Sequence, residues 1–301
     1  MVGIRGIERA LSSGRQAVGD GNAKTHRLLA GPLADLSYAV HGPRDGPAVL
    51  LIHGFPFDRA MWRFQVGPLT AAGYRVVVAE LPGFGRTEEV GATAPALDSV
   101  DAMARELLRL LDRLRIAKVT VVGFSMGGYV ALALAAQAKD RLAGLVLIDT
   151  RAEADSEEAR QKRDATIASV QAQGTRGLAM AMLATQLSEG TRASERLLAE
   201  EVRAMMLRQP KATVVAGLKA MRDRPDRRDL LPTLSCPVLV LVGEHDKVTP
   251  LDSAKTMLGA SRKGELKVIE GAAHLSPMER PDDVNEALVS WLDRHVRPMA
   301  G

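Results

Sequence analysis

Residues 118–132 read KVTVVGFSMGGYVAL. An apolar run enters Gly123-Phe124-Ser125-Met126-Gly127, and a helical pattern follows at once. A strand that turns into a helix through Gly-x-Ser-x-Gly holds its serine in a strained corner. The flanking positions must be small because the two backbones crowd there. The start of the helix adds positive partial charge where an oxyanion would develop. The same pentapeptide also occurs as an ordinary Gly-rich turn, so its meaning depends on what the rest of the chain supplies.

Outward from this corner the chain alternates short β-branched runs with longer helical patterns. The strand-like runs are DLSYAVHG (35–42), AVLLIH (48–53), YRVVVAE (74–80), KVTVVG (118–123), LAGLVLID (142–149), PVLVLVG (237–243) and ELKVIE (265–270). Most are continuously apolar, which suits strands covered on both faces. Helical spacing runs through 99–114, 126–138 and 281–296, the last opening at Pro281. This alternation predicts an α/β fold with a largely parallel, doubly wound sheet.

The alternation breaks once. Between Asp149 and about Arg228 there is no strand pattern, only helices rich in Ala, Met, Arg and Glu, separated by Gly174, Gly190 and Pro210. An all-helical insertion in a parallel sheet reads as a cap. The expected division is an N-terminal arm at 1–30 (a flexible linker or short helix), a core at 31–150 and 230–301, and the cap at 151–229.

Three further stretches stand at predicted strand ends, at the sheet edge that carries Ser125. His53-Gly54-Phe55-Pro56 follows an upstream strand. Acyl transfer needs two N–H donors for the oxyanion, expected here from Phe55 and from Met126, which follows the serine. His53 is read as shaping that loop rather than as a base. Glu244-His245-Asp246 follows PVLVLVG, and Asp246 has the address of the acid. His245, its neighbour, cannot easily be oriented by Asp246 and also reach Ser125. Gly271-Ala272-Ala273-His274 follows ELKVIE, and His274 has the address of the general base. Asp149, ending another strand, is the fallback acid. His26, His41 and His295 read as surface or capping residues, and Gly83-Phe84-Gly85 as a turn.

The chain order Ser125…Asp246…His274 is that of an α/β-hydrolase. With HGFPFDRAMW (53–62), ELPGFGRTE (80–88), GFSMGGYVALALA (123–135) and GAAHLSPMERPDDV (271–284), the sequence resembles the α/β-hydrolase superfamily over roughly residues 33–297. Within it the chain is most similar to the esterase, 3-oxoadipate enol-lactonase and cofactor-free haloperoxidase (perhydrolase) group. Glu80 stands where an Asp often precedes Leu-Pro-Gly. The resemblance implies a mostly parallel sheet of the α/β-hydrolase type with an all-helical cap inserted after the sixth strand. It also implies a serine mechanism, unlike that of haloalkane dehalogenases and epoxide hydrolases, whose elbow nucleophile is Asp.

The implied activity is hydrolysis of small to medium, largely apolar esters or lactones through an acyl-enzyme. Ser125, His274 and Asp246 would be the triad, with no metal or organic cofactor. Perhydrolysis or carbon–carbon bond hydrolysis by the same triad is an alternative, as is a non-catalytic ligand sensor. Met180, Met182, Met205, Met206 and Met221 would pack the cap or line its pocket, and Phe55 and Trp62 could wall it. Arg151, Arg160, Arg163 and Arg176 are expected on a solvated face, the alternative being that one of them pairs a substrate carboxylate.

Bulk properties bound these readings. Hydrophobic residues at 46% and charged residues at 25% exclude wholesale disorder. The net charge of +4 is spread among interspersed acids, so no nucleic-acid stripe is expected. One cysteine, Cys236, permits no intramolecular disulfide. There is no apolar run of about 18 residues, and MVGIRGIERALSSGRQ lacks a secretory apolar core. The expectation is a cytoplasmic protein with a small-molecule substrate and no membrane or nucleic-acid partner. A homodimer is compatible with the sequence.

Overall fold

A computed structural model describes residues 36–85 and 97–297, together with the backbone of residues 24–27. Eight strands form one sheet: β1 (Lys24–Arg27), β2 (Ser37–His41), β3 (Ala48–Ile52), β4 (Arg75–Ala79), β5 (Val119–Phe124), β6 (Leu142–Ile148), β7 (Val238–Gly243) and β8 (Gly264–Ile269). Their order is β1-β2-β4-β3-β5-β6-β7-β8. The β1/β2 and β2/β4 pairs are antiparallel; from β4 onward every pair is parallel. All seven expected strands are present. β1 is an addition that lies within the segment read as an arm, so its four residues are strand rather than linker or helix. The rest of 1–30 lies outside the described residues. With β1 counted, the helical insertion follows the sixth strand.

Successive strand residues point to opposite faces, and the core divides accordingly. Val119 and Val121 of β5, Leu145 and Leu147 of β6, and Val238 and Val240 of β7 belong to one buried cluster. It also holds residues of α2 (Val100–Arg113), α3 (Met126–Gln137) and α9 (Leu251–Ala260). Val122, Phe124, Val146, Ile148, Leu239 and Leu241 belong to the other, with α1 (Arg63–Ala71) and α11 (Pro281–His295). Two-sided burial is why these strands read as continuous apolar runs. α3, packed beneath α2, is buried almost all round, as its unbroken apolar sequence requires. α2 opens on Ser99, whose side chain accepts the Ala102 N–H.

Between β6 and β7 lie α4 (Glu157–Gln173), α5 (Arg176–Gln186), α6 (Glu189–Ser194), α7 (Arg196–Leu207) and α8 (Lys211–Arg222), with no strand. Gly174 caps α4 at φ 81°, and Pro210 precedes α8. Gly190 does not separate helices as expected: it is the second residue of α6. The break falls at Leu187–Ser188, because the Ser188 side chain accepts the Thr191 N–H and starts a new helix there. Ile167, Val170, Val214 and Leu218 of this insertion join one core cluster; Val202, Met205 and Met206 join the other.

The sheet register decides where the site lies. Ile52 pairs with Gly123, Phe124 with Ile148, Ile148 with Leu241 and Gly243 with Ile269. Residues 53–58, 125, 149, 244–250 and 270–276 therefore leave the sheet along one edge. Among the described residues no helix is long and apolar enough to cross a membrane.

The β5–α3 corner has no spare volume. A Cβ on Gly123 would lie 2.3 Å from Gly127 O, and one on Gly127 would lie 2.3 Å from Ile52 O. Gly123→Ala and Gly127→Ala are each expected to cost about 1–3 kcal/mol in equilibrium urea unfolding. Gly190→Ala meets no atom within 4 Å and should stay within about 0.5 kcal/mol of the parent or gain slightly. Equal midpoints for all three would refute the crowding argument.

Candidate active site

Ser125 occupies the single residue between β5 and α3, at φ 51° and ψ −116°. A non-glycine residue with positive φ is strained, and hydrogen bonds fix it. Its N–H donates to Ile148 O at 2.9 Å, and its carbonyl accepts from Gly128 N at 2.8 Å and Thr150 Oγ1 at 2.7 Å. The hydroxyl is thereby turned off the sheet edge, 2.9 Å from His274 Nε2.

His274 is buried. Its Nδ1 lies 2.9 Å from Asp246 Oδ2, and its ring lies 5.3 Å from that of Phe124. The N–H groups of the residues around it are held by three separate elements. Ala273 N donates to Glu279 Oε1 at 2.7 Å, Leu275 N to Gln186 O at 2.9 Å, and Ser276 N to Asp149 Oδ2 at 3.2 Å. The other oxygen of Glu279 accepts Ser188 N at 2.8 Å, tying α10 (Ser276–Glu279) to the start of α6.

Asp246 accepts Val248 N at 2.7 Å, Thr249 N at 2.9 Å and Thr249 Oγ1 at 2.5 Å. Burial pushes its carboxyl up, but the His274 imidazole and these donors outweigh that and hold it below the usual range. Thr249 escaped the sequence reading. The signal was Asp246-Lys247-Val248-Thr249, the Asx-turn pattern in which a side chain accepts N–H groups two and three residues on.

Asp149, the fallback acid, does not reach His274. It is fully buried, and its oxygens take Gly243 N at 2.8 Å and Ser276 Oγ at 2.5 Å. Burial and the nearby Asp246 charge raise its carboxyl well above the ordinary value.

His53 is a loop-shaping residue. Its Nδ1 lies 2.8 Å from Gly54 O, and its Nε2 accepts Leu81 N at 2.9 Å. Accepting at Nε2 leaves Nδ1 as the donor, and burial lowers the pKa to about 4, so the ring is neutral. His245 is exposed beside Glu244, His295 pairs with Glu265, and His26 lies in β1, its side chain outside the described residues. Among the described residues the main-chain N–H groups of Phe55 and Met126 have no acceptor. Met126 N is the first amide of α3.

The loop after β3 is braced from the insertion. Asp58 receives Arg208 Nε at 2.6 Å, Arg208 Nη2 at 2.7 Å and Gln209 Nε2 at 3.1 Å, while Gln209 Oε1 accepts Gly85 N at 2.9 Å. Glu80, the departure noted above, is buried beside Asp58 and accepts Arg59 N at 3.1 Å. Burial first, then the Asp58 charge, push Glu80 up to about 8 against the pull of Arg59 and Arg208.

Ser125 and His274 open into a cavity of about 340 Å³ walled by Phe55, Tyr129, Leu178, Met182, Leu218, Met221 and Val248. Lys162, Arg163, Thr166, Thr185 and Gln186 supply its polar groups. Met182 and Met221 line it as one reading allowed. Met205 and Met206 are core, and Met180 is exposed. Trp62 does not wall the pocket; it is fully buried in the α1/α11 cluster. Arg160 and Arg176 are exposed as expected, and Arg151 donates to Val248 O. Arg163 departs from the solvated face, lining the cavity while paired with Asp155. Gln186 was not foreseen; its Oε1 is buried without a partner among the described residues.

Residues 49–287 match the model of the alpha/beta hydrolase family. A solved esterase from Thermogutta terrifontis superposes with a TM-score of 0.84 at 38% identity, covering 91% of this chain and 100% of its own. The enol-lactonase of Burkholderia xenovorans superposes with a TM-score of 0.79 at 26% identity, covering 86% and 97%. The 3-oxoadipate enol-lactonase 1 of Acinetobacter baylyi is 26% identical over 247 residues, 82% of this chain and 89% of that protein.

The buried groups fix a pH signature. Glu80, raised from 4.5 to about 8, binds more protons in the folded state, so its contribution falls as pH rises through that window. His53, lowered from 6.5 to about 4, binds more protons in the unfolded state, so its contribution rises from pH 4 to 6.5. The two slopes oppose each other between pH 4.5 and 6.5, leaving the Glu80 loss unopposed up to pH 8. Glu80→Gln should remove a decline of about 1.4 kcal/mol per pH unit there. Urea unfolding at several pH values checks this; parallel curves for parent and variant would disprove it.

Proposed function

The chain belongs to the alpha/beta hydrolase family, and we propose that it is a serine-dependent carboxyl-ester or lactone hydrolase acting on small to medium, largely apolar substrates. One observation carries this reading: the continuous chain Ser125 Oγ–His274 Nε2–His274 Nδ1–Asp246 Oδ2, each contact 2.9 Å, at the mouth of an apolar cavity. The likeness to an esterase and to enol-lactonases supports the ester and lactone classes.

The reaction proceeds in two steps. Ser125 Oγ attacks the carbonyl carbon while His274 Nε2 takes its proton; Asp246 holds Nδ1 and stabilises the imidazolium. The N–H groups of Phe55 and Met126 receive the oxyanion, helped by the positive end of α3. His274 protonates the departing alcohol oxygen, which for a lactone stays attached to the acyl chain. Water, deprotonated by His274, then cleaves the acyl-enzyme. Helices α4 to α8 act as the cap, supplying Leu178, Met182, Leu218 and Met221 to the acyl chain and Gln186 to a polar group. A cavity of about 340 Å³ lies near the lower end of the range of about 300–1,000 Å³ for ligand pockets, which favours short acyl chains.

Release of p-nitrophenol from acyl esters of two to twelve carbons tests the proposal. The expected outcome is turnover that peaks among the shorter chains. Ser125→Ala should lower it by at least about 10³-fold, and Asp246→Asn by about 10²–10⁴-fold. An inactive parent, or a Ser125→Ala variant as active as the parent, would refute it.

A further inference from the structure

We propose that Asp149 is a positioning residue for the triad: one buried carboxyl group spans the Asp246 loop and the His274 loop and fixes their separation. The proposal rests on the triad reading above. It assigns Asp149 no contact with substrate.

The geometry sets Asp149 apart from the other buried acids. Gly243, whose N–H meets Oδ1 at 2.8 Å, is the last residue of β7, three residues before Asp246. Ser276, whose Oγ lies 2.5 Å and whose N lies 3.2 Å from Oδ2, is two residues after His274 and opens α10. One side chain therefore bonds the stem of the acid's loop and the stem of the base's loop. Glu279 reaches only the His274 loop and the insertion; Thr249 reaches only Asp246 and, at 3.4 Å, His274 Nδ1.

The backbone is arranged to make this span. Asp149 adopts φ 45°, outside the regions a side chain prefers, and its N–H is tied to Leu241 O at 2.9 Å. That turn ends β6 and leaves the carboxyl fully buried between the ends of β7 and β8. Positive φ outside glycine is strained and persists where the surroundings over-determine it. Nothing about ending a strand requires a carboxyl group here; bonding two loops at once does. Burial and the neighbouring charge of Asp246 disfavour a second anion at Asp149.

The triad bonds are short, and a displacement of about 1 Å in such an arrangement can cost about 10²-fold in rate. The test compares Asp149→Asn, Ser276→Ala and the double variant in the full chain. Two readouts are used: kcat and KM on a p-nitrophenyl ester, and the far-downfield proton resonance of the His274 Nδ1–H. Asp149→Asn keeps an acceptor for Gly243 N but cannot accept from Ser276.

The expected result is a fall in kcat of about 10- to 100-fold with KM within about twofold, and an upfield shift or loss of the resonance. Ser276→Ala should move both in the same direction by less. The double variant should be no worse than Asp149→Asn, because both act through one contact. A folded Asp149→Asn with parental kcat and resonance overturns the proposal, as does a rate loss with an unmoved resonance or effects that simply multiply. Should Asp149→Asn fail to fold, Ser276→Ala decides alone: parental kcat and resonance overturn the proposal. If the parent hydrolyses no ester, the hydrolase reading fails, and the resonance still tests the brace.

Discussion

The site depends first on a steric constraint. β5 and α3 approach so closely that positions 123 and 127 admit no Cβ, and the residue between strand and helix is left in a conformation that side chains rarely adopt. Strain of this kind costs on the order of 1–3 kcal/mol, so it must be offset locally. The bonds to Ile148 O, Gly128 N and Thr150 Oγ1 do so. The same closeness makes Met126 N the first free amide of α3, beside the hydroxyl rather than a turn away. The placement of the Ser125 hydroxyl and of a free amide beside it thus comes from one packing requirement, set by two glycines.

Electrostatics at this sheet edge follows burial, which pushes every carboxyl up, set against the donors each one gathers. Asp246 and Asp149 are both buried, yet they move in opposite directions. Asp246 gathers two N–H groups, a hydroxyl and the imidazole; Asp149 has fewer donors and sits in the field of Asp246. The pair Asp58 and Glu80 repeats the pattern on the other side of the site. Asp58 takes both arms of Arg208 and stays low, while Glu80, in the field of Asp58, is pushed up. Buried carboxyls in pairs cannot both ionise cheaply, and the member with the stronger donors and counter-charge, Asp246 or Asp58, is the one held low while burial and its neighbour's charge push the other up. The imidazole of His274 consequently faces the member of its pair that carries the charge.

The sheet and the convergence of Ser125, Asp246 and His274 at its edge were legible because both depend on local pattern. Two-sided burial leaves unbroken apolar runs, and a crowded corner leaves Gly-x-Ser-x-Gly; neither needs tertiary information. Ser125, Asp246 and His274 follow from strand-end position and chain order. What escaped was long-range or locally atypical. β1 lies in a polar stretch whose pairing with β2 no periodicity announces. Thr249 acts through its hydroxyl on a residue three positions back, and Gln186 lines the cavity at the end of α5, where its main-chain carbonyl accepts Leu275 N from a distant loop. Trp62 was misplaced because nearness in sequence to Phe55 says nothing about which side of a loop a side chain takes. Gly190 was misread because the Ser188 cap outweighs a glycine's preference for breaking a helix.

The insertion is bonded to the loops that carry His274 and Phe55, and this limits how it can vary. Gln186 O holds Leu275 N, Ser188 N reaches Glu279 and thereby Ala273, Arg208 grips Asp58 two residues after the oxyanion loop's Pro56, and Thr213 Oγ1 donates to Gly83 O at 2.7 Å. A change at any of these would shift the insertion together with the His274 loop, the Phe55 loop or the turn at Gly83. Leu178, Met182 and Leu218 carry no such burden: their side chains face the cavity and pack against the core. Their exchange alters cavity volume while leaving the bonds around His274 and Phe55 intact. The apolar side chains that α5 and α8 bring to the cavity are therefore distinct from the buried polar groups, at the helix ends and in the connecting loops, that hold the His274 and Asp58 loops.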